Sequence, residues 1–161
     1  MLIKTLHKGT ALPAGDYYIS DPCYFFFPDN QPGWVELLNK TNYFGSYDDE
    51  RNCLPRYLQH GVFSLENKIF AVSSTAFGDG CYPVYEKYIK QDQKIGECPV
   101  DAGCIAAIPA DMLDLRDIEL PSHGGYAEYT FNSDFTINFI YNSIVFCKPG
   151  SVSNFLTIPT S

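Results

Sequence analysis

The sequence predicts a mainly β protein with minor helix, an antiparallel β-sandwich or open barrel of two meanders with one short helix at about 34–40. Three observations point there. Tyr and Phe, twelve of each, fall mostly in short runs bounded by Gly, Pro, Asn and Asp, which is the punctuation of strands. The C-terminal third alternates with a period of two: Ala127, Tyr129 and Phe131 against Tyr126, Glu128 and Thr130, then Phe135, Ile137, Phe139 and Tyr141 against Thr136, Asn138 and Ile140. The connectors Asn132-Ser133 and Asn142-Ser143 are too short for the crossovers that parallel strands require. A chain of 161 residues that is 45% apolar fills one core, and no repeat or linker divides it, so one domain over 1–161 is expected.

Leu2 to Leu6 reads as a first strand and Tyr17 to Ser20 as a second, joined through the turn residues Pro13 to Asp16 and closed by Asp21-Pro22-Cys23-Tyr24. Pro22 biases Asp21 to an extended backbone, so its carboxylate stands at a strand end within reach of backbone N–H groups. Trp34, Leu37 and Leu38 recur at i, i+3 and i+4, the apolar face of a helix over 34–40 that lies on the sheet. From Thr41 to His60 the chain is polar, Tyr-rich and irregular: a long surface loop suited to a lid or a partner contact. Glu66-Asn67 turns a hairpin between 62–65 and 68–73. Gly78-Asp79-Gly80 then reverses the chain into a return strand over 81–88, which Pro83 makes an edge or a bulge, giving a three-strand meander. Ile95 to Pro99 reads as a link. Asp101 to Pro109 is small, apolar and uncharged after Asp101, as a buried central strand is, and Asp111 to Leu115 is at most one helical turn. A second meander of 126–131, 135–141 and 144–147 completes the fold.

Composition excludes several functions. A net charge of −8 with eleven scattered Lys and Arg repels a phosphate backbone, so no nucleic-acid partner is expected. No run approaches the ~18 apolar residues that cross a bilayer, and the first residues lack a signal-peptide core, so a cytoplasmic chain without membrane contact is expected. Its six cysteines are then reduced thiols packed as small apolar groups, and no Cys-x-x-Cys pair suggests zinc. Phosphate-binding glycine loops, zinc-peptidase motifs and the serine-hydrolase elbow are absent from the sequence. A cysteine nucleophile would pair Cys23 or Cys81 with His123, against the ordinary habit of free Cys to be packed.

Asp21, Asp79 and Asp101 are the better set, each at a predicted strand end beside Pro or Gly. Converging, three carboxylates would hold a divalent metal ion through oxygen; singly, each would cap its own turn by accepting backbone N–H bonds. With the neighbouring Tyr24 and Tyr82 they make the candidate ligand-binding set. Asp79 and Asp101 are expected to be neighbours through the sheet, with backbone donors, a metal, or an arginine such as Arg51, Arg56 or Arg116 offsetting their repulsion. The tyrosine surplus exceeds what a core hides comfortably, and exposed tyrosine favours an interface.

The segments Gly15 to Tyr24, Thr75 to Tyr82 and Val100 to Ile105, with their Asp-Pro-Cys-Tyr, Gly-Asp-Gly and Val-Asp-Ala-Gly motifs, resemble an uncharacterised group of small phage and bacterial proteins. The resemblance is close over the motifs and loose over about residues 15 to 147. It implies a phage or bacterial accessory protein whose three aspartates share one neighbourhood, and it implies no activity. The expectation is therefore a non-enzymatic binding module without cofactor, engaging a protein partner or small ligand through a Tyr-rich acidic surface. The alternatives are a metal-assisted hydrolase or cyclase-type enzyme using the three aspartates, and a purely structural virion or immunity component.

Overall fold

The structure, a computed structural model, describes residues 3–26, 31–115, 125–151 and 153–161. Its strands, in chain order, are β1 (Ile3–Leu6), β2 (Gly15–Ser20), β3 (His60–Leu65), β4 (Lys68–Ser74), β5 (Gly80–Glu86), β6 (Gln93–Val100), β7 (Cys104–Pro109), β8 (Tyr126–Phe131), β9 (Thr136–Ile140), β10 (Ser143–Cys147) and β11 (Asn154–Pro159). They form two antiparallel sheets, one ordered β1-β3-β4-β7-β2-β8 and the other β6-β5-β11-β10-β9. Neither is a closed barrel, so the sandwich reading holds.

Alternation along each strand divides the core in two. Tyr17, Ile19, Val62, Ala71, Ile105 and Ala107 of the larger sheet meet Val84, Ile137, Ile144, Phe146, Leu156 and Ile158 of the smaller one in the space between the sheets. On the other face of the larger sheet, Phe63, Leu65, Phe70, Val72, Ala106 and Ile108 pack under a helical layer. That layer comprises α1 (Cys23–Phe26), α2 (Gln31–Lys40), a tight turn over Asn42–Gly45 and a short 3-10 segment at Ala110–Leu115, contributing Phe25, Leu37, Phe44 and Met112. The whole of β7 is buried for this reason, which is why its sequence carries no polar alternation. On one side the two sheets close until Gly96 of β6 faces Ala127 of β8, where a Cβ on Gly96 would lie 2.9 Å from that of Ala127.

Several elements match the sequence reading. The helix over 34–40 is α2, begun three residues earlier with Pro32 in its first turn, where the missing N–H costs nothing. The β3–β4 hairpin turns at Glu66 and Asn67, whose φ values of 49° and 70° are those of a primed turn.

The wiring differs in three places. Gly78-Asp79-Gly80 does not fold β5 back onto β4: it carries the chain from the larger sheet to the smaller, where β5 lies between β6 and β11. Pro83 thus sits in an internal strand, and the β5–β6 ladder shifts register nearby, between Val84 and Tyr85. The stretch Ile95 to Pro99 is part of β6 and not a link; Lys94, Gly96, Glu97 and Pro99 obscure a strand that needs only one buried face because it stands at a sheet edge. And β8 pairs with β2 in the larger sheet, while β9 and β10 form their hairpin in the smaller. The last strand, β11, has no counterpart among the predicted elements.

Candidate functional site

The chain passes between the sheets twice at one corner. One passage, 75–79, leaves β4 for β5, and the other, 101–103, leaves β6 for β7. Strand pairing on both sides forces them together, because Ser74 faces Cys104 in the larger sheet and Gly80 faces Val100 in the smaller. The Thr75 N–H donates to the Gly103 carbonyl at 3.0 Å, extending the ladder into the corner. Gly78 (φ +94°) and Gly103 (φ +71°) supply the left-handed backbone that each passage needs. Thr75, buried, fixes its own loop: Oγ1 accepts from the Gly78 N–H at 2.8 Å and donates to the Gly78 carbonyl at 2.5 Å.

Asp21 ties a third segment to this corner. Its carboxylate is wholly buried, with Oδ1 accepting the Cys23 N–H at 2.8 Å and Oδ2 accepting the N–H groups of Asp101 and Ala102, each at 2.7 Å. It is at once the N-terminal cap of α1, followed by Pro22, and the clasp of the β6–β7 passage. Burial pushes its carboxyl above the usual range, and the three backbone donors pull against that rise. Tyr24, one turn on, donates its hydroxyl to Asp101 Oδ2.

The predicted site residues therefore share one neighbourhood but stand in different situations. Asp21 is buried, Asp79 and Asp101 are exposed, and Tyr82 lies in the inter-sheet core with its hydroxyl donating to the Gly78 carbonyl at 2.8 Å. Asp79 and Asp101 flank the Gly80–Val100 pair at the same end of the β5–β6 ladder. Of the arginines weighed as partners, Arg56 reaches the corner, donating to the Thr75 carbonyl at 2.6 Å; Arg116 lies outside the described residues. Among the described residues no group of three His, Cys, Asp or Glu side chains is disposed to hold a metal ion. Cys23 sits among the acids, and burial first, then the charges of Asp21, Asp101 and Asp79, push its thiol up, opposite to what a nucleophile needs. His123, its suggested base, lies outside the described residues. All six cysteines are free.

Beside Asp101 opens a cavity of about 440 Å³. It is lined by Ser74, Asp101, Ala102 and Cys104 and by Trp34 and Leu38 of α2. Tyr43, Phe44, Ser46 and Tyr47 join them from the Tyr-rich segment read as a lid or contact loop, with Phe44 packed against Trp34. This segment holds unusual backbone: Asn42, Tyr43, Phe44 and Gly45 have φ of 50°, 54°, 55° and 80°, one turn of left-handed helix. Asn and Gly tolerate that conformation, whereas Tyr43 and Phe44 each carry about 1–2 kcal/mol of strain.

The surroundings hold the turn in place. Thr41 Oγ1 accepts the Phe44 N–H at 3.1 Å and donates to the Leu37 carbonyl at 2.9 Å, and Phe44 is buried against Trp34 and Phe63. Burying that ring stabilises by about 1.5–3 kcal/mol, comparable with the strain of the two residues. Lys8 Nζ pins the turn to the strand behind it, donating to the Leu58 carbonyl at 2.6 Å and to those of Gly45 and His60. Sequence reasoning missed Trp34, Tyr43, Phe44 and Tyr47 as a group; the available signal was Asn42 and Gly45 bracketing two aromatics.

A second cavity, of about 360 Å³, is lined by Asp16, Asn67, Lys68 and Asp111 among others. Lys68 and Asp111 pair with each other there, and Asp16 accepts from Thr130, so its charged groups already have partners.

Comparison of the chain with protein-family models, with curated proteins and with solved structures finds no match. Among the described residues no helix is long and apolar enough to cross a membrane.

Proposed function

We propose that this chain is a non-enzymatic binding module that receives a small ligand, or one side chain of a protein partner, in the aromatic cavity beside Asp101. The observation that carries this reading is the cavity lining, in which a strained left-handed turn bearing Tyr43 meets Tyr47, Trp34 and an exposed carboxylate. Strain of this kind persists where the surrounding structure over-determines it, and it concentrates at ligand clamps. The volume suits a small molecule, and a mostly apolar and aromatic lining with a few polar groups is the usual composition of such sites. The acidic net charge favours a cationic or neutral occupant over an anion. A phage or bacterial accessory role rests on the motif resemblance alone.

The test is a thermal-shift screen of a metabolite library, run beside a pull-down from native bacterial lysate, each repeated with Tyr47→Ala. A ligand or partner that binds the natural protein and is lost with the variant supports the reading. Binding that Tyr47→Ala leaves intact moves the site elsewhere. Turnover of a chromogenic phosphoester that a chelator abolishes would replace the reading with metal-assisted hydrolysis at Asp21, Asp79 and Asp101.

A further inference from the structure

We infer that the occupant of this cavity is a small organic cation of the alkylated-ammonium class, an inference that rests on the binding-module reading and gives it a ligand. Three tests of the lining agree. The first is charge: Asp101 is the sole charged residue among the described residues that line the cavity. Its Oδ2 takes the Tyr24 hydroxyl, while Oδ1 makes no hydrogen bond with any described residue, and the side chain is exposed to an arriving ligand.

The second is the character of the walls. Trp34, Tyr43 and Tyr47 line the cavity, and the negative quadrupole of an aromatic ring attracts a cation at a centroid distance within about 6 Å. Tyr43 already engages one cation in this way, the Arg51 guanidinium lying 5.7 Å from its ring centroid. An indole binds cations best, and Trp34 lines the same cavity.

The third is what the remaining polar groups do. The hydroxyls of Ser46 and Ser74 bond to each other at 3.1 Å, and the Gln59 amide donates to the Leu54 carbonyl at 2.7 Å and to the Cys53 sulfur at 3.4 Å. The Gln59 amide and one of the two serine hydroxyls are thus engaged within the protein, so an anion would find no charged donor and a neutral ligand no free amide N–H. An alkylated ammonium asks for neither: it needs aromatic faces, one carboxylate and the exclusion of water.

Trp34 is the single tryptophan of the chain and lines the site, so its emission reports occupancy directly. The natural protein would be titrated with choline and, separately, with 3,3-dimethyl-1-butanol, which has the same shape with carbon in place of the charged nitrogen. Choline is expected to change Trp34 emission saturably, at least tenfold more tightly than the alcohol, and more weakly as salt is added. Asp101→Asn should lower choline affinity about 3- to 10-fold, and Tyr43→Leu should lower it as well, with far-ultraviolet circular dichroism unchanged. If the alcohol binds as tightly as choline, the cavity recognises shape and not charge, and the cation inference fails while the binding reading stands. It fails in the same way if choline is silent but a library compound binds in a manner sensitive to Tyr47→Ala. Choline binding that neither variant weakens places its site elsewhere and overturns the inference. With no ligand or partner found at all, both readings fall.

Discussion

At the scale of single residues, Asp21 shows how one side chain takes a role that three similar-looking aspartates seemed to share. The sequence offered two readings of each, turn cap or metal ligand, and Asp21 proves to be a cap for two segments at once, a role that no local pattern reveals because Asp101 and Ala102 are 80 and 81 residues away. An Asn at this position has one acceptor oxygen, and its NH2 would face N–H groups that have no other partner. Removing the buried charge offsets part of that cost, since burial already disfavours the ionised form. Asp21→Asn should therefore destabilise by about 2–3 kcal/mol, read from the urea midpoint, whereas the exposed Asp79→Asn should change it by less than about 0.5. Equal midpoints for the two variants would contradict the clasp. His60 makes a second prediction, for pH. Burial, then the charge of Lys8, lowers its imidazole pKa from 6.5 to about 4, against a smaller opposing pull from the Tyr57 backbone. Because the folded value lies below the unfolded one, the unfolded chain takes up the proton first as pH falls. The neutral His60 thus contributes stability that is fully present above pH 6.5 and lost progressively down to about pH 4, about 3 kcal/mol in all. His60→Asn should flatten the pH dependence of unfolding across that window; an unchanged slope would show that other groups cause it.

At the scale of elements, what was legible followed period and turn chemistry. The β3–β4 hairpin, α2 and the buried β7 each carry a pattern set by their immediate surroundings, and each was recognisable in the sequence. Which sheet a strand joins is not set locally. A glycine-rich reversal and a glycine-rich passage between sheets use the same residues, so Gly78-Asp79-Gly80 read as a hairpin and is a crossing. Likewise β6 shows too little alternation to read as a strand, because its partner β5 and the close approach to Ala127 hold it in place. The left-handed turn over Asn42–Gly45 was illegible for a related reason: tertiary packing of Phe44, and not propensity, holds two aromatics where they do not choose to be. Its hinge is Gly45, where a Cβ would lie 2.3 Å from the His60 carbonyl oxygen at φ +80°. A backbone group cannot step aside as a side chain can, so Gly45→Ala should cost about 3 kcal/mol or more. It should also shift Trp34 emission, since the Phe44 ring packs 5.7 Å from the indole. A variant with natural stability and emission would show that the turn is not held this tightly.

At the scale of the whole molecule, the larger sheet sits between two apolar layers and the smaller sheet faces only one, and this asymmetry should decide which part opens last. The pair β4–β7 is buried on both faces, with Val72 and Ala106 opposite each other at 0% exposure, while only two of the eight residues of β6 are buried and it pairs only with β5. Amides open with free energies that rise with the apolar surface each opening exposes to water, up to that of global unfolding. In native-state hydrogen exchange the hydrogen-bonded amides of β4 and β7 should be slowest and those of β6 and β9 faster. The two passages should lie between these limits, because Asp21 and Thr160 supply their bonds: Thr160 Oγ1 accepts the Ala76 N–H at 2.9 Å and its carbonyl accepts the Phe77 N–H at 3.0 Å. Thr160→Val removes the first acceptor and should speed exchange at Ala76 several-fold while leaving β4 and β7 as slow as before. Were β4 and β7 to accelerate equally, the corner and the central sheet would open as one unit. The cavity beside Asp101 would then rest on the global stability of the fold, and not on a corner that can loosen by itself.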